Sequence, residues 1–242
     1  MTRPISNGAA VHVHLRALRR GHLGRREVLA GVTSLGLGTA SAYGLLGAAA
    51  PRSARAQAET DAQLTCQMRV YKLDDPRLFD WSEKGNLARG TLENLVRYTH
   101  DFTLEPWLLD RWDITEGGRV YTLHLRPDVT WSNGDAFTAD DVIFNLERWA
   151  DRTVPGNSMA QRVAALVDPE TGQLRSGAVE RVDDLTVRLN LEAPDATLIA
   201  GLADYPALIV HRGFDAAAGI GPDTVGTGPY LIENLAPGTS AM

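Results

Sequence analysis

Residues 28–50, VLAGVTSLGLGTASAYGLLGAAA, carry no charge, and this 23-residue run decides where a folded domain can begin. Its length suffices to span a bilayer. Its content argues otherwise: Gly, Ala, Ser and Thr dominate, with five leucines and valines in the first ten positions and few after. Ahead of it lies an arginine-rich segment with Arg16, Arg19, Arg20, Arg25 and Arg26. Behind it come Pro51, Arg52 and Arg55 and two small-x-small sites, Ala54-x-Ala56 and Ala56-x-Ala58. Basic, then apolar, then small is the order of a cleaved export signal, here residues 1–58. Arg25 and Arg26, followed one residue later by Val28 and Leu29, resemble the twin-arginine translocation consensus. The weakly apolar core and the nearby Arg52 and Arg55 fit that route better than general secretion. The mature part is therefore expected in the periplasm or another extracytoplasmic space, having crossed the membrane folded.

Charge divides the chain at the same place. The whole chain has 24 Lys+Arg and 30 Asp+Glu, a net of −6. Residues 1–58 hold eight arginines and one acid, Glu27, which leaves 16 basic and 29 acidic residues for 59–242, a net of −13. A body this acidic excludes nucleic acid as a partner, because phosphates need a basic surface. A hydrophobic content of 44% excludes wholesale disorder. The single Cys66 excludes an intramolecular disulfide and a multi-cysteine metal site. Leu64 and Thr65 before it do not form a lipidation motif, and it is expected as a half-buried thiol in a strand.

Pattern along the mature part alternates between strand and helix. Residues 63–72 alternate moderately and predict a first strand, broken at Leu73-Asp74-Asp75-Pro76. Residues 79–86 read as a loop, and 88–98 as a helix on the spacing of Leu92, Leu95 and Val96. Residues 100–106 read as irregular, and 107–112 lead into a strand. Residues 120–126 give the clearest strand, with Tyr121, Leu123 and Leu125 on one side and Thr122, His124 and Arg126 on the other. Asn133-Gly134 forms a turn. Thr138 is a natural N-cap with Asp141 completing a capping box for a helix over 139–150, whose stripe is Val142, Ile143, Leu146 and Trp149. A short helix follows over 161–167, then a hairpin of 179–182 and 185–192. A helix over 193–202 and a strand over 230–235 complete the pattern.

No catalytic constellation accompanies these elements. Gly156-Asn157-Ser158 echoes a nucleophile elbow but lacks the strand before it, and reads as a loop. His100, His124 and His211 are not spaced as metal ligands. Gly226-x-Gly228 lacks the third glycine of a dinucleotide fingerprint. Of the paired acids, Asp140-Asp141 reads as a helix cap and Asp183-Asp184 as a turn, leaving Asp74-Asp75 to face a pocket. The five tryptophans read as core or rim residues. No cofactor and no metal are called for, which leaves an exported acidic α/β chain without evident catalysis.

The stretch PWLLDRWDITEGGRVYTLHLRPDVTWSNGDAFTADDVIFNLER resembles a segment of the extracellular solute-binding proteins of peptide/nickel-type ABC importers (family 5). Leu92-Glu93-Asn94-Leu95 fits that family's upstream E-x-L helix. Asp184-Leu185-Thr186-Val187-Arg188-Leu189 fits its D-x-x-T-V-x-I strand, and Gly226-Thr227-Gly228-Pro229-Tyr230 its G-T-G-P-Y turn. The resemblance covers roughly residues 64–235, with departures at Trp131-Ser132-Asn133 and at the extra acid of Leu73-Asp74-Asp75-Pro76.

The resemblance implies an α/β fold of the periplasmic-binding-protein type II kind, two-lobed and closing on its ligand through a hinge. It implies residues 59–89 and 211–242 as the main part of lobe one and 90–210 as an inserted subdomain. Family members are longer, so only the first lobe and its inserted subdomain are expected here, as in an N-terminal fragment. The implied function is capture of a peptide or similar small solute for a membrane ABC permease, without catalysis and as a monomer. An exported enzyme of the twin-arginine pathway, or a fragment without activity, is the alternative. The residues expected at the ligand are Asp74, Asp75, Phe79 and Trp81 after the first strand, and Gly226, Thr227, Gly228 and Tyr230 at the later turn.

Overall fold

The computed structural model describes residues 64–242; the proposed signal, with Arg25, Arg26, Ala56 and Ala58, lies outside them. The elements run in mixed α/β order. A short 3₁₀ turn, Pro76–Leu78, precedes α1 (Ser82–Ala88). A small antiparallel pair follows, β1 (Val96–Tyr98) and β2 (Leu104–Pro106). The main sheet takes β3 (Leu109–Thr115), β4 (Val120–Leu125), β5 (Val179–Asp183) and β6 (Thr186–Asn190), in the order β3-β4-β6-β5 and antiparallel throughout. Helix α2 (Ala139–Ala150) packs on it, α3 (Met159–Arg162) packs against α2, and α4 (Leu198–Gly201) against α3 and β1, while β7 (Leu235–Ala236) pairs with β8 (Ser240–Ala241).

Period-two alternation builds the sheet. In β4 Tyr121, Leu123 and Leu125 are buried while Val120, Thr122 and His124 are half-buried. Leu123 stands opposite Trp112 of β3 on one side and Val187 of β6 on the other. Helix α2 seals that face with Val142, Leu146 and Trp149, all fully buried. Each such side chain contributes about 1.5–3 kcal/mol by leaving water. The helix begins as its capping box dictates, with the Thr138 N–H donating to Asp141 Oδ2 at 2.8 Å.

Two hydrophobic clusters result. The larger draws on residues 95–209; the smaller joins Leu73, Phe79, Ala88 and Leu92 to Leu208, Val210 and Ile220. Between them runs the segment 204–212, which forms no regular strand and is held by two buried asparagines. Asn94 Nδ2 donates to the carbonyls of Asp204 (2.9 Å) and Ala207 (2.8 Å). Asn145 Nδ2 donates to the Val210 carbonyl at 2.8 Å, and its Oδ1 accepts from the Val210 N–H at 3.1 Å. Asp141, fully buried, accepts from Arg212 Nε at 3.0 Å. Polar groups so deep persist because each is matched.

Several expectations fail. Residues 64–72 form no strand, and Cys66 is exposed. The expected loop over 79–86 contains α1 instead. The expected helix over 88–98 is an extended passage into β1, although Leu92, Leu95 and Val96 are all buried as their spacing suggested. Within 100–106 lies β2, not irregular chain alone. The helix over 193–202 shrinks to α4, and no strand spans 230–235.

Candidate functional site

A cavity of about 540 Å³ opens where five separate stretches meet. Ser82 and Arg89 come from the ends of α1, Glu93 from the passage into β1, and Arg97 and Tyr98 from β1 itself. Trp107 follows β2, Asp204 and Tyr205 come from the threaded segment, and Pro229 and Tyr230 from the glycine-rich turn. Three tyrosines and one tryptophan give it aromatic walls, with charged groups at intervals.

Local packing fixes these side chains. Glu93 Oε1 accepts the Trp107 indole N–H at 2.8 Å, and the Arg97 guanidinium lies 4.2 Å over the Trp107 ring while pairing with Glu105 at 3.0 Å. Asp204 is paired with Arg162 at 2.6 Å, and that guanidinium in turn faces the Tyr205 ring. Gly85 of α1 lies so close to Tyr205 that a Cβ there would meet its Cβ and carbonyl oxygen at 2.8 Å. Protein crowding around Arg89 pulls its pKa below the ordinary arginine value, partly offset by the negative charge of Asp204.

The turn at 226–230 is set by backbone meeting backbone. The N–H groups of Gly228 and Tyr230 donate to the carbonyls of Thr91 (2.9 Å) and Gly90 (3.0 Å). A Cβ at Gly226 would stand 2.0 Å from the Thr91 oxygen, and one at Gly228 would stand 2.4 Å from the Gly90 oxygen. Both glycines therefore serve close approach, and the turn presents Tyr230, 70% exposed, to the cavity.

The expected ligand residues divide accordingly. Tyr230 lines the cavity, and Trp81, exposed, precedes Ser82 on its wall. Asp75 and Phe79 are withdrawn from any ligand. Phe79 is fully buried in the smaller core, and Asp75, 1% exposed, is enclosed by Arg77 Nε at 2.9 Å and Arg148 Nη2 at 2.6 Å. Asp74 is a solvated surface acid beside Lys72 at 2.9 Å. Gly226 and Gly228 position the chain, and the Thr227 hydroxyl is buried without a partner among the described residues. Arg89, Arg97, Tyr98, Asp204 and Tyr205 were not foreseen, because residues 89–98, 204–205 and 229–230 have no spacing that unites them in sequence.

The elbow-like loop has its hydroxyl taken up by backbone. Ser158 of the elbow-like loop donates its hydroxyl to the carbonyls of Arg77 and Phe79, both at 3.0 Å. Among the described residues no three His, Cys, Asp or Glu side chains cluster as a metal site, and no helix is long and apolar enough to cross a membrane.

The profile of the bacterial extracellular solute-binding proteins, family 5 Middle, matches residues 103–242. The chain belongs to this family. Its members are binding components of transport systems rather than enzymes. The di/tripeptide-binding protein 4 of Pseudomonas aeruginosa is 34% identical over 145 residues, covering 54% of this chain and 27% of that protein. The heme-binding protein A of Haemophilus influenzae is 34% identical over 146 residues, covering 53% of this chain and 26% of that protein. Among solved structures, NikA from Brucella suis in complex with Fe(III)-EDTA superposes with a TM-score of 0.59 at 27% identity, over 75% of this chain and 35% of that one. Haemophilus influenzae OppA in complex with the peptide RPPGFSPFR gives a TM-score of 0.61 at 23% identity, over 70% of this chain and 35% of that one. This family-5 chain thus spans about a quarter of the curated relatives and a third of the solved ones. Its fold is that of type II periplasmic binding proteins, of which it holds part of a lobe.

Proposed function

We propose that this chain forms one wall of the solute cleft of an exported ABC-importer binding protein, which captures peptides or similar small solutes and delivers them to a membrane permease. The cavity carries the reading. It presents Tyr98, Trp107, Tyr205 and Tyr230 around fixed charges, the mixture that holds a small solute's body and orients its polar ends. Relatives named for peptides and for heme support a small-solute ligand. The division into a lobe-one part (59–89 and 211–242) and an inserted part (90–210) is proposed with it, and the larger hydrophobic cluster, whose buried residues all fall within 95–209, supports it. Export through the twin-arginine route by Arg25 and Arg26, work in the periplasm and a monomeric state complete the proposal.

One wall buries about half of a ligand where small-molecule pockets bury ~70–90%. The expected affinity for di- to oligopeptides is therefore millimolar, and each 1.4 kcal/mol gained by further enclosure would be about tenfold. Ligand-observed NMR with a dipeptide pool tests this on the 242-residue chain. Saturation transfer that disappears in Trp107→Ala is the expected result; the absence of transfer from every peptide at millimolar concentration overturns the reading. Export is tested by replacing Arg25 and Arg26 with lysine, which should hold the precursor in the cytoplasm.

A further inference from the structure

The hairpin turn at 131–135 carries a reactive pair of residues. Of the seven asparagines in residues 64–242, five precede leucine, Asn157 precedes Ser158 and Asn133 precedes Gly134. Ser132 to Ala136 are exposed. The Gly134 N–H donates to the Trp131 carbonyl at 2.9 Å, and Gly134 sits at φ +93°, where glycine pays no Cβ penalty. A Cβ at Gly134 would meet nothing within 4 Å, so this peptide is open on that side. The Asn133 side chain folds back over the following backbone: its Oδ1 accepts the Asp135 N–H at 3.0 Å, and its Nδ2 donates to Asp135 Oδ2 at 2.7 Å. Asp135 Oδ2 also faces His211 Nε2 at 3.3 Å. Behind the turn, Ser132 grips Gly226 twice, its N–H donating to the Gly226 carbonyl at 2.8 Å and its Oγ accepting the Gly226 N–H at 3.3 Å.

An asparagine amide is attacked by the backbone nitrogen of the next residue, and a glycine there leaves the approach free of a side chain. The Asp135 N–H polarises the Asn133 side-chain carbonyl that receives the attack. The Gly134 hydrogen bond to Trp131 must open first, and exposed turns open at small cost. We propose that Asn133-Gly134 is a site of spontaneous deamidation in the folded protein, and that the reaction loosens the hairpin's hold on Gly226. The Gly134 nitrogen gives its proton to solvent base and bonds to Asn133 Cγ. The Cγ–Nδ2 bond breaks, and ammonia leaves with a proton from water. Water then opens the resulting succinimide. Cleavage of the new Cγ–N bond gives aspartate, and cleavage at the original backbone carbonyl gives isoaspartate. One water is consumed and one ammonia released, with no redox change. Aspartate at this position sets a carboxylate against Asp135 where an amide donated, and isoaspartate lengthens the main chain inside the turn. Either product strains the hairpin beside Ser132, and Gly226 opens the turn that carries Tyr230 to the cavity.

Ageing the 242-residue chain in mildly alkaline buffer, below its unfolding transition, tests the reaction. Samples taken over time are digested, and mass spectrometry follows the gain that marks an amide becoming an acid. The peptide holding Asn133 should convert ahead of those holding Asn86, Asn94, Asn145, Asn157, Asn190 and Asn234, and should yield both aspartate and isoaspartate. Mapping by peptide keeps it apart from Asn7-Gly8, which lies outside the described residues. Conversion no faster than at the other six, or only when denaturant is added, overturns the assignment. Asn133→Gln, whose extra methylene disfavours the ring, should age slowly; ageing at the unaltered rate overturns the cyclic route. Hydrogen exchange tests the consequence. In the aged chain and in Asn133→Asp the Gly226 N–H should exchange about two- to tenfold faster than in the fresh chain, the net worth of one hydrogen bond. Unchanged exchange in both overturns the loosening. The comparison of fresh with aged chain needs no variant, so the test does not depend on how either substitution folds.

Discussion

Asp74 and Asp75 are adjacent in sequence and opposite in role, and exchanging each for asparagine should separate them. Asp75 is 1% exposed, with the Arg77 and Arg148 guanidiniums at 2.9 and 2.6 Å and the Arg77 N–H donating to its other oxygen at 3.1 Å. Burial lowers the pKa of Arg148, an effect that Asp75 opposes by its charge and hydrogen bond. Asp75→Asn keeps the volume but leaves two enclosed guanidiniums without a counter-charge, and turns an amide donor toward them. Removing one member of a buried pair costs about 3–5 kcal/mol. For 150–250 ordered residues each kcal/mol lowers Tm by ~2–4 °C, so a fall of roughly 6–20 °C is expected. Asp74→Asn breaks only the exposed pair with Lys72, worth ~0–1 kcal/mol, and should move Tm by no more than a few degrees. Thermal unfolding followed by circular dichroism reads both. Asp75→Asn combined with Arg148→Met should recover part of the loss, because the stranded cation is removed. Equal Tm values for the two single variants, or no recovery in the double variant, would refute the enclosure argument.

Two further outcomes follow from local geometry. Gly226→Ala puts a Cβ against the Thr91 carbonyl oxygen at 2.0 Å and should cost about 1–3 kcal/mol, whereas Gly221→Ala, with nothing within 4 Å of the added carbon, should stay within ~0.5 kcal/mol; chemical denaturation of both decides it. Asp151 accepts the Thr153 hydroxyl at 2.6 Å, the Thr153 N–H at 2.9 Å and Gln173 Nε2 at 2.7 Å, and these bonds hold its pKa below the ordinary aspartate value. A depressed folded pKa means the unfolded chain binds more protons, so this stabilisation is present above about pH 4 and is lost as pH falls through the folded value. Thr153→Ala should raise the Asp151 pKa toward the ordinary value and flatten the acid limb of stability; an unchanged carboxyl titration by NMR would count against it.

The sheet and α2 were legible because their signals are local. Alternation over 120–125 and 186–190 and the Thr138–Asp141 box state both the element and its buried face within a few residues. Where a partner was needed, the pattern failed. Residues 64–72 alternate, but a strand also needs an edge to pair with, and among the described residues the Val70 carbonyl accepts a single backbone bond, from the Gly238 N–H at 2.7 Å. The 230–235 stretch fails likewise, with Tyr230 and Leu231 largely exposed. The spacing of Leu92, Leu95 and Val96 marked burial correctly and conformation wrongly, since periodicity cannot tell a helix from an extended chain threaded between two cores.

For the site, the tertiary fold supplies information that no window of sequence contains. Gly85 lowers the helix propensity of residues 82–88, and read locally it signals a loop. In the structure the same glycine lets α1 approach Tyr205, because any Cβ would collide there. One residue therefore weakens the local signal and builds the cavity wall. The Asp74-Asp75 pair shows the converse. Its charges suggested a ligand contact, yet Asp75 is consumed by Arg148 from a helix 73 positions along the chain.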